Sequence, residues 1–156
     1  VQPLTIVVEG EQTGPAIVWK GYNIDQRYDV VEGMTVDIVV TAPAGVKDFA
    51  VKIISNVLTP DQLGGVGLCD VLNLVDPAAS YSTVDPSFDT SNIATQLTNL
   101  GFPTGEAVAN QTKVEFSITQ FLSLLSFTGA GEHSFEMTVT DNEDNVTVKT
   151  LMITTL

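Results

Sequence analysis

The end of the chain carries two alternating segments joined by an acidic, amide-rich turn, and this feature constrains the fold more than any other. In residues 132–140, apolar and polar side chains alternate, which predicts a strand with one buried face. After the turn at 141–145 the alternation resumes and then changes phase between Val148 and Leu151. The segment therefore predicts a long antiparallel hairpin that closes a sheet, with a bulge at the change of phase.

Composition limits the size of the fold and its partners. A chain of 156 residues with 44% hydrophobic content suits one domain with a sizeable core. The formal net charge of −13 argues against nucleic acid and acidic membranes as partners. No apolar run reaches the roughly 18 residues of a transmembrane segment. Cys69 is the single cysteine, so it predicts no internal disulfide and leaves the compartment open.

The first half of the chain is rich in β-type segments. Strands are predicted at 4–8, 16–19, 34–41 and 49–55, each bounded by turn residues. In the third of them, alternate residues from Met34 onwards are apolar and share one face. The last two segments are separated only by a short Pro and Gly turn, so we expect them to pair as a core hairpin.

The middle of the chain changes to helical spacing. A short helix is predicted to start at Thr59, and a longer one covers about 91–100, with Gly101 just after its cap. A strand at 114–118 is followed by another short helix capped by Thr119. These helices are expected to close the open ends of a sandwich.

Segment 135–147 resembles the last hairpin of bacterial immunoglobulin-like and polycystic-kidney-disease-type domains. Together with 17–22, 40–46 and 100–105, it is similar to an uncharacterised domain of Bacteroidetes surface lipoproteins. His133 departs from the pattern, because an aromatic residue is usual there, and the turn lacks the expected glycine. The resemblance implies an exported, cell-envelope protein of modular construction, and it brings no catalytic residues with it.

The prediction is therefore a single all-β domain over 1–156, an immunoglobulin-like antiparallel β-sandwich with short helices inserted in the crossovers. We expect a fragment of a larger exported protein, at the cell surface or in the periplasm, anchored through a lipoprotein segment before Val1. Its expected role is noncatalytic, as a structural or protein-interaction module whose partners are neighbouring domains or surface proteins. The alternatives are a carbohydrate-binding module and an uncharacterised enzyme with a cleft formed by the inserted helices.

Trp19, Tyr22 and Tyr28 are the candidate ligand-binding residues. Aromatic faces can stack on sugar rings, and the intervening 25–27 could supply hydrogen bonds to a glycan. The competing interpretation is that these aromatics pack in the core. A glycan platform requires that Trp19 be exposed to solvent.

Asp141, Asn142 and Asp144 are the candidate metal ligands. Calcium prefers several oxygen ligands, and the hairpin turn offers them densely. The turn lacks the glycine and distant glutamate of an EF-hand loop, so an ordinary structural turn is the favoured interpretation and no cofactor is expected.

Cys69 and His133 are the sole thiol and imidazole, so they could form a nucleophilic pair oriented by Asp70 or Asp141. The apolar surroundings of Cys69 favour an inert core residue instead. His133 is expected at the surface, at the start of a strand. No catalytic residue is predicted.

Overall fold

In a computed structural model, residues 14–31, 33–56, 59, 63–64, 68–85, 87–120 and 130–155 are described. The fold is mostly β, with two sheets, as the sequence predicted. The strands are β1 (Ala16–Trp19), β2 (Arg27–Asp29), β3 (Asp37–Thr41), β4 (Val46–Ser55), β5 (Val71–Asn73), β6 (Lys113–Ser117), β7 (Gly131–Asp141) and β8 (Val146–Thr155). The predicted strand at 4–8 lies outside the described residues.

The smaller sheet has three strands in the order β1-β3-β6, all antiparallel. The larger sheet has five strands in the order β2-β8-β7-β4-β5. Among the described strands of this sheet, β2 pairs with β8 in parallel and the other pairs are antiparallel, as expected. The inward side chains of both sheets belong to one hydrophobic core, which includes Ile38, Val40, Phe49, Phe135 and Leu151.

The predicted pairing of β3 with β4 is wrong. β3 lies between β1 and β6, whereas β4 lies between β7 and β5 in the other sheet. The turn between them carries Gly45 at φ +87°, a conformation that suits glycine. Its N–H donates to the Ala42 carbonyl at 2.7 Å, so the chain crosses from one sheet to the other within a few residues. Sequence proximity favoured a hairpin because alternation alone does not specify which sheet a strand joins.

The closing hairpin is confirmed, but the predicted bulge in β8 is wrong. The register of β7 with β8 is continuous from Gly131↔Thr155 to Thr140↔Val146. Val146 and Val148 instead lie on the outer face of the sheet, 58% and 50% exposed, while Leu151 is fully buried. The change of phase in the sequence therefore arises because two valines lie on the exposed face of a regular strand, and not from a bulge.

The predicted helix at 91–100 is confirmed as α1 (Ile93–Asn99), with Ile93 and Leu97 buried. At its end the Phe102 N–H donates to the Leu97 carbonyl at 3.0 Å and the Gly101 N–H to the Thr98 carbonyl at 3.1 Å, which is a Schellman cap. Gly101 has φ +99°, and an added Cβ would collide with the Ser117 carbonyl oxygen. A glycine is therefore required by both conformation and space.

Two short 3-10 helices, Pro77–Ala79 and Gly105–Ala107, lie with α1 in the β5 to β6 crossover, as expected for inserted helices. At the predicted helix after Thr59, the Leu63 N–H donates to the Thr59 carbonyl at 2.9 Å, but most of that segment lies outside the described residues. The predicted helix after Thr119 also falls mainly outside them. None of the described helices is long and apolar enough to cross a bilayer.

Candidate functional site

Trp19, Tyr22 and Tyr28 come together as an aromatic cluster, as their sequence proximity suggested. The Trp19 and Tyr22 rings stack with centroids 4.4 Å apart and planes at 24°. Tyr28 meets both rings edge-on, at 5.4 Å from Trp19 and 5.0 Å from Tyr22. Such offset and edge-to-face pairs stabilise a core beyond the area they bury.

Trp19 itself is buried, with only 1% of its surface exposed. It lies on the inner face of β1, and its indole N–H donates to the Thr35 carbonyl at 3.1 Å. Tyr22 and Tyr28 are half-buried against the core. The condition for a glycan platform is therefore not met at Trp19, because Tyr22 stacks on its ring and the core encloses the rest.

The loop between β1 and β2, which carries Tyr22 and leads to Tyr28 on β2, is fixed to β8 by Asp25. The Asp25 N–H donates to the Thr150 carbonyl at 2.8 Å, and the Thr150 N–H donates to the Asp25 carboxylate at 2.7 Å. Lys149 forms an ion pair with the same carboxylate at 3.4 Å. The contacts of Asp25 therefore attach the loop to β8 and leave its carboxylate engaged with Thr150 and Lys149.

Asp141 organises the hairpin turn from within. Its carboxylate is buried and accepts hydrogen bonds from the Glu143 N–H at 2.9 Å and the Asn145 N–H at 2.8 Å. The second oxygen accepts from the Asn145 side-chain amide at 3.1 Å. Burial raises the pKa of Asp141, but the hydrogen bonds from Asn145 and Glu143 outweigh burial and leave the pKa below its ordinary value. A calcium ion would have to replace these donors.

Asn142 and Asp144 point to other partners. The Asn142 amide donates to the Ala44 carbonyl at 3.0 Å and to the Asn110 side chain at 3.2 Å. Asp144 pairs with Lys47 at 2.7 Å, and this hydrogen bond raises the pKa of Lys47. Within the described ranges, no group of three or more His, Cys, Asp or Glu side chains could hold a metal ion. Asn142 and Asp144 therefore connect the turn to neighbouring segments, whereas Asp141 holds the turn together from within.

Cys69 is a buried core residue. Its Sγ donates to the Val71 carbonyl at 3.3 Å. Burial, followed by the charge of Asp70, raises the pKa of the thiol to about 11. The thiolate needed for nucleophilic attack is therefore scarce at neutral pH.

The prediction of an exposed His133 is wrong, because β7 turns this side chain inward and leaves it fully buried. Its Nδ1 lies 2.7 Å from Ser55 Oγ and its Nε2 lies 3.0 Å from Thr155 Oγ1. Burial and the nearby Arg27 charge lower the pKa of His133. A neutral imidazole can donate at one nitrogen and accept at the other, so both hydroxyl contacts are satisfied in a polar row across β4, β7 and β8.

The outer face of the five-stranded sheet follows from the same registers. Cross-strand rows place Ala50, Thr138 and Val148 side by side, and Asp48, Thr140 and Val146 in the next row. We call Val146 and Val148 the valine strip. Each of these two exposed valines has a threonine of β7 as its cross-strand neighbour.

A shallow pocket lies at the other end of the same sheet, where the starts of β2 and β7 meet the end of β4. Its volume is about 340 Å³. Its lining consists of Arg27, Ile54, Ser55, Asn56, Glu132 and Ser134. We call it the Arg27 pocket.

Sequence reasoning did not assemble the Arg27 pocket. Alternation places Ser134 on the polar face of its strand, and Arg27 enters only the glycan alternative, as a residue that could hydrogen-bond to a sugar beside the aromatic side chains. The pairing of β2 with β8 and of β4 with β7 brings Arg27, Ile54 and Ser134 together over long sequence separations. The pairing register of these strands cannot be predicted from a local pattern in one sequence.

Comparisons with protein-family models, curated proteins and solved structures gave no match to this chain. The resemblance to a surface-lipoprotein domain therefore stays a prediction.

Proposed function

We propose that the chain is a noncatalytic, immunoglobulin-like interaction module of an exported bacterial lipoprotein. In this role it contacts a neighbouring domain or a surface protein through the outer face of the five-stranded sheet. The exposed valine strip is the observation that carries the proposal.

The strand order supports the immunoglobulin-like part of the proposal. In the lettering of that fold, β1, β3 and β6 correspond to strands A, B and E of one sheet. β4, β7 and β8 correspond to C, F and G of the other, and β5 takes the place of an added C′ strand. The crossover from β5 to β6, residues 74–112, contains α1 and contributes much of the length beyond the roughly 100 residues of a minimal domain.

The valine strip supports a contact role. Val146 and Val148 are 58% and 50% exposed on a regular, well-paired strand. Single exposed apolar residues are ordinary, but neighbours that share one face form a patch that a partner can remove from water. A β face whose strands are already paired also binds with little loss of backbone conformational freedom.

The chemistry of the core supports the noncatalytic part of the proposal. The thiol of Cys69 is buried with a raised pKa, and the imidazole of His133 is enclosed between two hydroxyl groups. Both groups therefore have a structural explanation that needs no substrate.

The test is site-specific photocrosslinking in cells that export the full protein. A photoreactive residue replaces Val148, and a matched variant carries it at Val18, which is 52% exposed on β1 in the other sheet. We expect a discrete crosslink, to another domain or another protein, from position 148 and not from position 18. Absence of a crosslink at 148, or equal crosslinking at both positions, would contradict the proposal.

A further inference from the structure

Arg27 lines the Arg27 pocket, and its guanidinium is held by contacts to two strands. One guanidinium nitrogen, Nη1, donates to the Ile153 carbonyl at 3.0 Å and lies 3.2 Å from Thr154 Oγ1. The other, Nη2, donates to Ser134 Oγ at 3.4 Å. These contacts span β8 and β7, so the planar guanidinium is oriented before any ligand arrives.

The polar groups around Arg27 retain hydrogen-bonding capacity. Glu132 Oε1 lies 3.7 Å from Arg27 Nη2, longer than a hydrogen bond, and its side chain is 67% exposed. Asn56 accepts the Glu132 N–H at 3.0 Å through Oδ1, and its Nδ2 donates to none of the described residues. The pocket thus presents donors from Arg27 and Asn56 beside an acceptor carboxylate.

The distribution of charge selects against ionic ligands. A carboxylate or phosphate bound at Arg27 would face Glu132 at close range and a chain with a formal net charge of −13. An ammonium bound at Glu132 would face the Arg27 guanidinium. A neutral hydroxyl avoids both penalties, because it accepts from Arg27 and donates to Glu132 at the same time.

We propose that the Arg27 pocket binds a neutral polyhydroxyl ligand, a single sugar residue or a small polyol, through two adjacent hydroxyl groups. One hydroxyl bridges Arg27 and Glu132, and the next accepts from Asn56 Nδ2. Ile54, 50% exposed beside them, offers an apolar surface for the C–H face of the ligand. The volume of about 340 Å³ lies at the lower end for small-molecule pockets, which suits a ligand of this size.

This inference does not rest on the proposed interaction surface. The valine strip lies on the outer face near the turn between β7 and β8, while the pocket lies at the opposite end of those strands. Each proposal can therefore fail alone.

The experiment is a titration of the isotopically labelled chain, followed by backbone amide chemical shifts in nuclear magnetic resonance. The panel contains neutral hexoses, pentoses, N-acetylated sugars and linear polyols, with a uronate and a free amino acid as the ionic members. We expect neutral members to shift the amides of Asn56, Glu132 and Ser134 with a millimolar Kd. Glu132→Gln should weaken binding about tenfold, because it replaces a charged hydrogen-bond acceptor by a neutral amide oxygen.

Glu136→Gln is the matched control. Glu136 lies on the same face of β7, makes the same charge change and is not part of the pocket lining. It should leave the Kd unchanged, and Trp19 fluorescence verifies that both variants fold. Three results would overturn the proposal: no pocket shifts with any neutral member at millimolar sensitivity, tighter binding of the uronate or amino acid, or equal weakening by both variants.

Discussion

Replacement of Trp19 by alanine should destabilise the domain strongly. The indole is 1% exposed, stacks on Tyr22 and contacts Tyr28 edge-on, so the substitution removes one of the largest buried side chains. Truncation of a buried Phe or Trp to Ala costs about 3–5 kcal/mol, including the cavity. Thr35, whose carbonyl accepts the indole N–H, is exposed, so water can replace that donor and adds little further cost.

The cost translates into a measurable thermal shift. In domains of this length, 1 kcal/mol corresponds to about 2–4 °C in Tm, so we expect a cost of about 3–5 kcal/mol in Trp19→Ala to lower Tm by roughly 6–20 °C. Circular dichroism measures this for wild type and variant. Because Trp19 is the single tryptophan, wild-type fluorescence independently reports its surroundings. The native emission should be that of an apolar environment, poorly quenched by iodide, and should move to longer wavelength on unfolding.

Tyr81→Ala provides the control, because Tyr81 is 56% exposed and its loss should change stability by about 0.5 kcal/mol or less. If Trp19→Ala and Tyr81→Ala shift Tm equally, or if iodide quenches the native indole freely, the assignment of Trp19 to the core is refuted. If Trp19→Ala loses the ability to bind a ligand, we therefore attribute the loss to unfolding of the domain and not to removal of an aromatic surface that stacks on the ligand.

Three further predictions follow from individual contacts. Cys69, with its thiol pKa raised to about 11, should resist thiol reagents at pH 7 until denaturant unfolds the chain; fast native labelling would contradict its burial. Folding lowers the pKa of His133 from 6.5, so below that pH the unfolded chain binds more protons than the folded chain. The contribution of His133 to the free energy of unfolding should therefore be fully present above pH 6.5 and decrease as the pH falls below it. Denaturant titration at several pH values measures this, and His133→Gln should show a weaker dependence on pH. Asn142→Ala should lower Tm by about 2–4 °C, because it removes the hydrogen bonds of the Asn142 side chain to Ala44 and Asn110. The decrease in Tm should be the same with added calcium and with a chelator. A decrease seen only with calcium would indicate that Asn142 is a metal ligand.

Local patterns predict the strands whose inner residues alternate and the helix α1. The β7 to β8 hairpin and α1 were recoverable because their signals, alternation and a Gly after the cap, lie within a few residues of each other. β2 and β5 were not predicted, since each has only three residues and depends on pairing with a distant strand. The assignment of β3 and β4 to different sheets likewise depends on non-local packing.

The candidate site residues illustrate the same limit. The sequence identified Trp19, Tyr22 and Tyr28 as a group, and they do form one cluster. Whether these aromatic side chains face the core or solvent depends on which face of their sheet packs against the other sheet. The sequence around Trp19 does not contain that information. His133 is predicted at the surface because it stands at the start of a strand, although its position in phase with Phe135 indicates the inner face of β7.

The acidic turn shows why oxygen-rich sequence is a weak signal of a metal site. A ligand set for calcium needs six to eight oxygens that are not already used. In this turn the backbone must reverse direction with Asp144 at φ +67°, and the N–H groups it exposes need acceptors. The Asp141 carboxylate is the acceptor for these groups: Asn145 donates both its N–H and its side-chain amide to it. The Asn145 carbonyl in turn accepts from the Asp141 N–H at 3.0 Å and closes the turn. The residues that make the turn attractive for a cation are thus the residues that a tight hairpin requires.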